Sequence, residues 1–360
     1  MMQKRKLFGY AVAAMVVVSV LFAGPALARK TVIKLQMFYS PTLPLLGSSM
    51  PHCAELVKEA SDGQVQFKLF DPGKLVPPGE VLESVSKGRI DAGYSAAGFW
   101  AGKIPASPLF TSVPFGPEAP EYMAWMFEGN GLKLYQEMYD RHGYNVKVIP
   151  VGIIAPESSG WFTKEIDTLE DLKGIKMRFF GLGGQVMQKL GVSVTVLPGA
   201  EIFPALEKGA IDATEFSMPL LDKNLGFYKI AKYNYFPGWH QQATITELLI
   251  NKETWNGLDP WQQRLIEICA KATMTWSLAT GEALQGPVIK ENIEEHGVKV
   301  RYWGPEFMDA FKKAWLEVVE EQKEDPFFAK VWKDLEAFRA DYDYWQRHGF
   351  LPREVGIEEQ

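Results

Sequence analysis

The stretch Gly79-Glu80-Val81-Leu82-Glu83-Ser84-Val85-Ser86-Lys87-Gly88-Arg89-Ile90-Asp91-Ala92-Gly93 returns as Ala200-Glu201-Ile202-Phe203-Pro204-Ala205-Leu206-Glu207-Lys208-Gly209-Ala210-Ile211-Asp212-Ala213-Thr214, with six of the fifteen positions identical. Each copy reads as a short amphipathic helix that ends at Lys-Gly, because glycine takes the left-handed conformation that closes a helix. A β-forming Ile-Asp-Ala step follows at once. The copies lie 121 residues apart, too far for a solenoid, so the chain is read as two similarly built α/β lobes. Two matched lobes imply a cleft between them.

At the N-terminus Lys4-Arg5-Lys6 precede an apolar stretch from Leu7 to Phe22, and Ala26-Leu27-Ala28 stands ahead of Arg29. This is the pattern of a secretory signal with a small-x-small cleavage site, so residues 1–28 are read as a signal peptide and the periplasm as the destination. A membrane anchor needs about 20 apolar residues, and no cysteine follows the apolar core to accept a lipid. Loss of the three basic residues takes the formal net charge from −6 to −9, which leaves no basic surplus for nucleic acid. The remaining chain is long enough to bury cores in two domains of about 150 residues each. Cys53 and Cys269 are the only cysteines. Neither has metal or redox spacing, and whether they pair is left open.

Alternating βα units follow: a strand over Val32–Met37, a helix over Pro51–Ala60, a strand over Val65–Phe70, then the first repeat copy ending at Tyr94. The spacing places the first lobe at residues 29–150, with a crossing near Val148–Pro150, and the second at 151–239. Residues 240–280 return to the first lobe. In the second lobe Thr168–Gly174 reads as a capped short helix, Ile175–Phe180 as a strand, Gly181–Gly184 as a turn, Gln185–Leu190 as a helix and Val192–Leu197 as a strand. Residues 281–360 form a C-terminal helical region. There Phe328, Val331, Trp332, Leu335, Phe338, Tyr342 and Trp345 make an apolar stripe that serves either internal packing or a homodimer contact.

Among candidate site residues Arg178 comes first. It ends a strand just before a Gly-rich segment and a helix N-terminus, where a guanidinium fork beside free N–H groups suits a carboxylate. Glu215 follows the second repeat's strand at the carboxyl end, where open α/β sheets place their ligand crevice. Across a cleft from an arginine, it offers oxygen to a hard cation. His240 reads as a hydrogen-bonded histidine in an aromatic-rich crossing. Gly181–Val186 fails the dinucleotide fingerprint, and phosphate-loop, nucleophile-elbow and His-Glu-x-x-His motifs are missing, so no enzyme chemistry is read.

Several segments together resemble a known family: Gly160-Trp161-Phe162-Thr163-Lys164-Glu165-Ile166, Leu172–Arg178, Gly181–Gly184, Leu197–Ile202, Gly209–Phe216 and Pro237-Gly238-Trp239-His240. They resemble the DctP solute receptors of tripartite ATP-independent periplasmic (TRAP) transporters, in the branch that binds 2-oxo and related monocarboxylates. The resemblance implies a two-lobed, type II-like periplasmic binding protein with a hinge, closing on an organic acid for delivery to TRAP membrane subunits. It implies Arg178 as the carboxylate clamp, Glu157 beside substrate and metal, and Na⁺ or Ca²⁺ held by Glu215, the Phe216 carbonyl and Gln241. Two positions depart from the family pattern, Glu157 standing for Gln and Gln241 for Glu. The aromatics Phe38, Tyr39, Trp100, Trp161, Phe180 and Trp239 are expected to wall the cavity and favour an apolar or aromatic tail. A receptor presenting its ligand to a membrane sensor, and an exported lyase or hydrolase using Glu157 or His240, are the competing readings.

Overall fold

The computed structural model describes residues 30–351, so the expected signal peptide lies outside the described residues. Eleven strands among them form two sheets. The first contains β1 (Thr31–Met37), β2 (Val65–Phe70), β3 (Ala92–Ser95), β4 (Val146–Ile154) and β10 (Thr244–Asn251) in the order β2-β1-β3-β10-β4. The second contains β5 (Gly160–Phe162), β6 (Lys176–Arg178), β7 (Ser193–Thr195), β8 (Ala213–Thr214), β9 (Tyr233–Phe236) and β11 (Lys299–Tyr302) in the order β11-β9-β5-β8-β6-β7.

The repeat is the reason the sheets match. In the first lobe β1 lies between parallel β2 and β3, and in the second β6 lies between parallel β7 and β8. Registers correspond as well: Leu35 faces Ala92, and Met177 faces Ala213. The shared aspartate explains itself here. Asp91 Oδ2 accepts the Lys34 N–H at 2.8 Å, and Asp212 Oδ2 accepts the Lys176 N–H at 3.0 Å. Each copy thus pins the start of its strand to the neighbouring one. The helices before them close at Gly88 and Gly209, whose φ of 65° and 67° admits glycine far more readily than other residues.

The crossing between lobes lies at residues 155–159, not at Val148–Pro150. β4 continues through Pro150 because its ladder with β10 shifts register between Thr246 and Glu247. At an irregularity of this kind the missing proline N–H costs little. β10, in the segment expected to return, joins the first sheet, and β11 joins the second sheet in a region expected to be helical. Gly181–Gly184 is not a turn but the first turn of a helix over Gly181–Lys189.

A 35-residue helix, Pro260–Glu294, starts from a capping box of Asp259 and Gln262. It packs on β4, on the helix Ser49–Ala60 and on the second-lobe helix Pro219–Leu225, and so links the lobes. Cys53 and Cys269 are buried in one core as free thiols. The last helix, Pro326–Gly349, is capped by Asp325, and its stripe divides along its length. Phe328, Val331, Trp332 and Leu335 are buried against the chain's own helices, whereas Trp345 at the stripe's end is exposed, as is Tyr344 beside it. No helix among the described residues is long and apolar enough to cross a membrane.

Candidate functional site

β6 and β8 are neighbours, with Arg178 paired to Thr214. Glu215 therefore stands beside Arg178 and not across a cleft from it. Arg178 Nη1 donates to Glu215 Oε2 at 2.8 Å and to the Glu215 carbonyl, Nε donates to the Leu197 carbonyl at 3.2 Å, and the Phe180 N–H donates to the same Glu215 Oε2 at 3.0 Å. Nη2 has no partner among the described residues. Both side chains are almost wholly buried, at 3% and 0% exposure. Charge-assisted bonds of this kind hold both groups rigid.

The segments 155–159 and 237–243 supply the rest of the cluster. The Glu157 N–H donates to the Gln241 carbonyl at 3.1 Å, and Gln241 Nε2 donates to Glu157 Oε2 at 2.5 Å. Ser112 Oγ, from the first lobe, donates to Gln241 Oε1 at 2.6 Å. Close packing requires two glycines here. A Cβ at Gly238 would lie 2.0 Å from the Glu157 carbonyl oxygen, and one at Gly183 would lie 2.8 Å from His240 Cβ. His240 Nε2 lies 3.5 Å from Glu157 Oε2 and 3.6 Å from Glu215 Oε1.

Unlike the hydrogen-bonded histidine expected, His240 makes ion-pair contacts with the two carboxylates but no hydrogen bond at either ring nitrogen, and Glu215 Oε1 likewise accepts none. Burial alone would lower the imidazole pKa, yet the two carboxylates beside it raise it to about 9. Burial, reinforced by the Glu215 charge and opposed by His240 and Gln241, lifts the Glu157 carboxyl to about 7. Burial acts on Glu215 too, but Arg178, His240 and the Phe180 N–H together hold it below the usual carboxylate range. Neighbouring charge decides which of the two acids stays ionised.

Next to this cluster is a cavity of about 240 Å³ lined by Phe38, Tyr39, Leu43, Phe99, Leu197 and Phe216 among others, with Arg178 as its one charged side chain. The guanidinium also lies 5.3 Å from the Phe216 ring centroid. Phe38 and Tyr39 thus sit where a wall was expected, and Phe180 packs on the wall residue Phe99 at 4.6 Å. Trp100, Trp161 and Trp239 do not line this cavity. The indole N–H groups of Trp100 and Trp161 are bound at 2.9 and 2.8 Å by the buried carboxylates of Glu247 and Asp222, and Trp239 stacks on Phe311 at 4.7 Å. An indole has one donor, and a buried acceptor satisfies it within the core. Glu247, Asp222 and Ser112 were not read from the sequence. They belong to segments far apart in the chain and carry no motif.

The profile of bacterial extracellular solute-binding protein family 7 (DctP) matches residues 40–325. A monocarboxylate 2-oxoacid-binding periplasmic protein of Nostoc sp. is 37% identical over 295 residues, which are 82% of this chain and 80% of the relative. A TRAP solute-binding protein from Bordetella bronchiseptica, with calcium and picolinate bound, is 31% identical with a TM-score of 0.85, covering 89% of this chain and 95% of that one. One from Pseudoalteromonas atlantica, with sodium and pyruvate bound, is 33% identical with a TM-score of 0.84, covering 89% and 97%. The matched βαβ units, the Arg178–Glu215 pair at the strand ends and these likenesses agree: the chain belongs to the DctP family of bacterial extracellular solute-binding proteins, the solute receptors of TRAP transporters.

Proposed function

We propose that this protein is a periplasmic receptor for a monocarboxylic acid with an apolar tail, 2-oxo acids being the leading class, which it hands to TRAP membrane subunits without chemical change. The observation that carries this reading is a buried Arg178 with a free nitrogen in an otherwise uncharged, largely apolar cavity. One guanidinium answers one carboxylate, and the rings and aliphatic side chains answer the tail. The names of the Nostoc relative and of the two bound ligands support the same class.

A cation beside the acid fits the residues present, since the buried Glu215 Oε1 accepts no hydrogen bond and has an acceptor position open. Glu215, the Phe216 carbonyl and Gln241 would hold it, and it would supply positive charge to the acid's oxygens. The relatives' sodium and calcium make these ions the first to try. The exposed Tyr344 and Trp345 support a homodimer contact at the end of the last helix, which sedimentation of W345S against wild type would test.

The deciding experiment is a thermal-shift panel on chelator-stripped protein with 2-oxo acids, 2-hydroxy acids, amino acids, dicarboxylates and sugar acids, each with Na⁺, Ca²⁺ or chelator. A ligand that binds only the folded state stabilises it by several kcal/mol at large excess. The expected result is a large shift for one monocarboxylate class, with the acid recovered unchanged. Selective shifts for dicarboxylates or sugars, or turnover of the acid, would refute the reading. Co-purification with TRAP membrane subunits separates transport from presentation to a sensor.

A further inference from the structure

We propose that Gly98 is a positioning residue that lets the two lobes meet: the space left by its missing side chain admits the Phe180 ring, which then stands between the acid cavity and an outer groove. The inference rests on reading the cleft as an acid receptor, and it names the contact on which its closed arrangement depends.

The two residues come from different lobes. Gly98 lies in the short turn Ala97–Trp100 that follows β3, and Phe180 follows β6. A Cβ at Gly98 would lie 2.6 Å from Phe180 Cζ and 3.1 Å from Cε1, whereas Thr111 Cβ, on its own lobe, would be at 3.6 Å, an ordinary contact. The backbone does not require glycine here, because Gly98 is not in the left-handed region. Its N–H is held by Thr111 Oγ1 at 2.8 Å. A side chain at this position is therefore compatible with the first lobe and collides only with the second.

The Phe180 ring has little room to yield. It is 8% exposed, and its backbone N–H is fixed to Glu215 Oε2 at 3.0 Å. Its centroid lies 4.6 Å from that of Phe99, which in turn stacks on Phe38 at 4.1 Å. Three rings thus run from the first lobe to the second, at spacings that favour aromatic pairs. Phe99 lines the acid cavity together with Arg178, and it also lines a second cavity of about 290 Å³ with Gly98, Phe180 and Val196. The Phe99–Phe180 pair therefore marks the boundary between the two spaces. Extra bulk at residue 98 raises the energy of the closed arrangement alone, and a ligand that needs this arrangement loses apparent affinity in proportion to its population.

The test uses the full-length mature protein with pyruvate and phenylpyruvate as probes, each with Na⁺ and with Ca²⁺. G98A, checked for folding by circular dichroism, should weaken acid binding on the order of 30-fold in calorimetry. Made in an F180A background, the same substitution should change affinity by less than about 2-fold, since the ring it would strike is gone. X-ray solution scattering without acid should give G98A a larger radius of gyration than wild type. Wild-type affinity or a wild-type acid-free radius in G98A would overturn the proposal, as would an equal loss in the F180A background, which would place the effect inside the first lobe. Should G98A fail to fold, F180W adds bulk at the same contact from the other lobe and carries the same decision. Acid binding by wild type that G98A leaves unchanged sinks this inference and spares the receptor reading. Absence of binding to any acid sinks the receptor reading, while the acid-free radii still decide the role of Gly98.

Discussion

The β1–β3 unit and the β6–β8 unit have the same topology, the same register and the same pinning aspartate, and they differ at two positions that matter. Where the second unit has Arg178, the first has Gln36. Where the second has Glu215, the first has Tyr94. Gln36 is fully buried and closed on itself: Nε2 donates to the Phe70 and Asp71 carbonyls, and Oε1 accepts the Leu75 N–H at 2.8 Å. Tyr94 donates to Thr246 Oγ1 at 3.0 Å. Arg178 reaches the corresponding loop through Leu197 but keeps one nitrogen spare, and Glu215 keeps one oxygen spare. One unit closes its polar groups on protein hydrogen-bond partners, whereas in the other Glu215 Oε1 makes no hydrogen bond.

The sharpest way to break this contrast is R178Q, which writes the first unit's residue into the second. It leaves Glu215 buried without its partner, and removing one member of a buried pair costs about 3 to 5 kcal/mol. Acid affinity should fall below detection in calorimetry, with a clear drop in denaturation midpoint. Retained acid binding would mean that Arg178 is not the clamp. The counterpart is Q36A, which strips five backbone groups, the Met37, Phe70 and Asp71 carbonyls and the Leu75 and Val76 N–H, of their side-chain partner and should cost about 1 to 3 kcal/mol. Acid affinity should be unchanged, and a loss of affinity would show that the first unit also serves the ligand.

Glu247 sharpens the comparison through pH. It accepts from Ser95, Trp100, Tyr135 and Tyr139, yet burial outweighs these donors and raises its pKa. The fold therefore binds this proton more tightly than the unfolded chain does. Its stabilising contribution is complete below the ordinary carboxylate value of about 4.3 and is lost as pH rises through the folded value. E247Q keeps an acceptor for Ser95 and Trp100 and offers N–H to the tyrosine oxygens, so its stability should vary less with pH in denaturant titrations. An unaltered pH profile would remove Glu247 as the source. The smallest effects are expected from D91A and D212A, each deleting one acceptor of a strand N–H, at about 0.5 to 1.5 kcal/mol. Their costs should be similar, and a large difference in chemical denaturation would show that the two units are not energetically equivalent.

Much of this was legible because it is local. The Lys-Gly closures and the Ile-Asp-Ala steps are contiguous in sequence, and the capping box at Thr168 and Asp171 spans four residues. The crossing expected near Val148–Pro150 was not legible, because only the irregular register against Thr246 and Glu247 shows how a strand runs on through Pro150. Trp100 and Trp161 lie away from the Arg178 cavity for a related reason. A sequence shows that an indole is large and apolar, but not that a buried carboxylate stands at its N–H.

By itself the sequence determined two α/β lobes built from one repeated unit, and the positions of Arg178 and Glu215 at matching strand ends, since helix closure and strand alternation are set by neighbours along the chain. Only the tertiary structure decided that Arg178 and Glu215 lie side by side, and that Glu157 and His240, from segments more than eighty residues apart, meet at Glu215. Which polar atoms stay unpaired was decided there as well. That outcome depends on every partner the folded chain brings within hydrogen-bonding distance, and periodicity along the sequence carries no record of those distances.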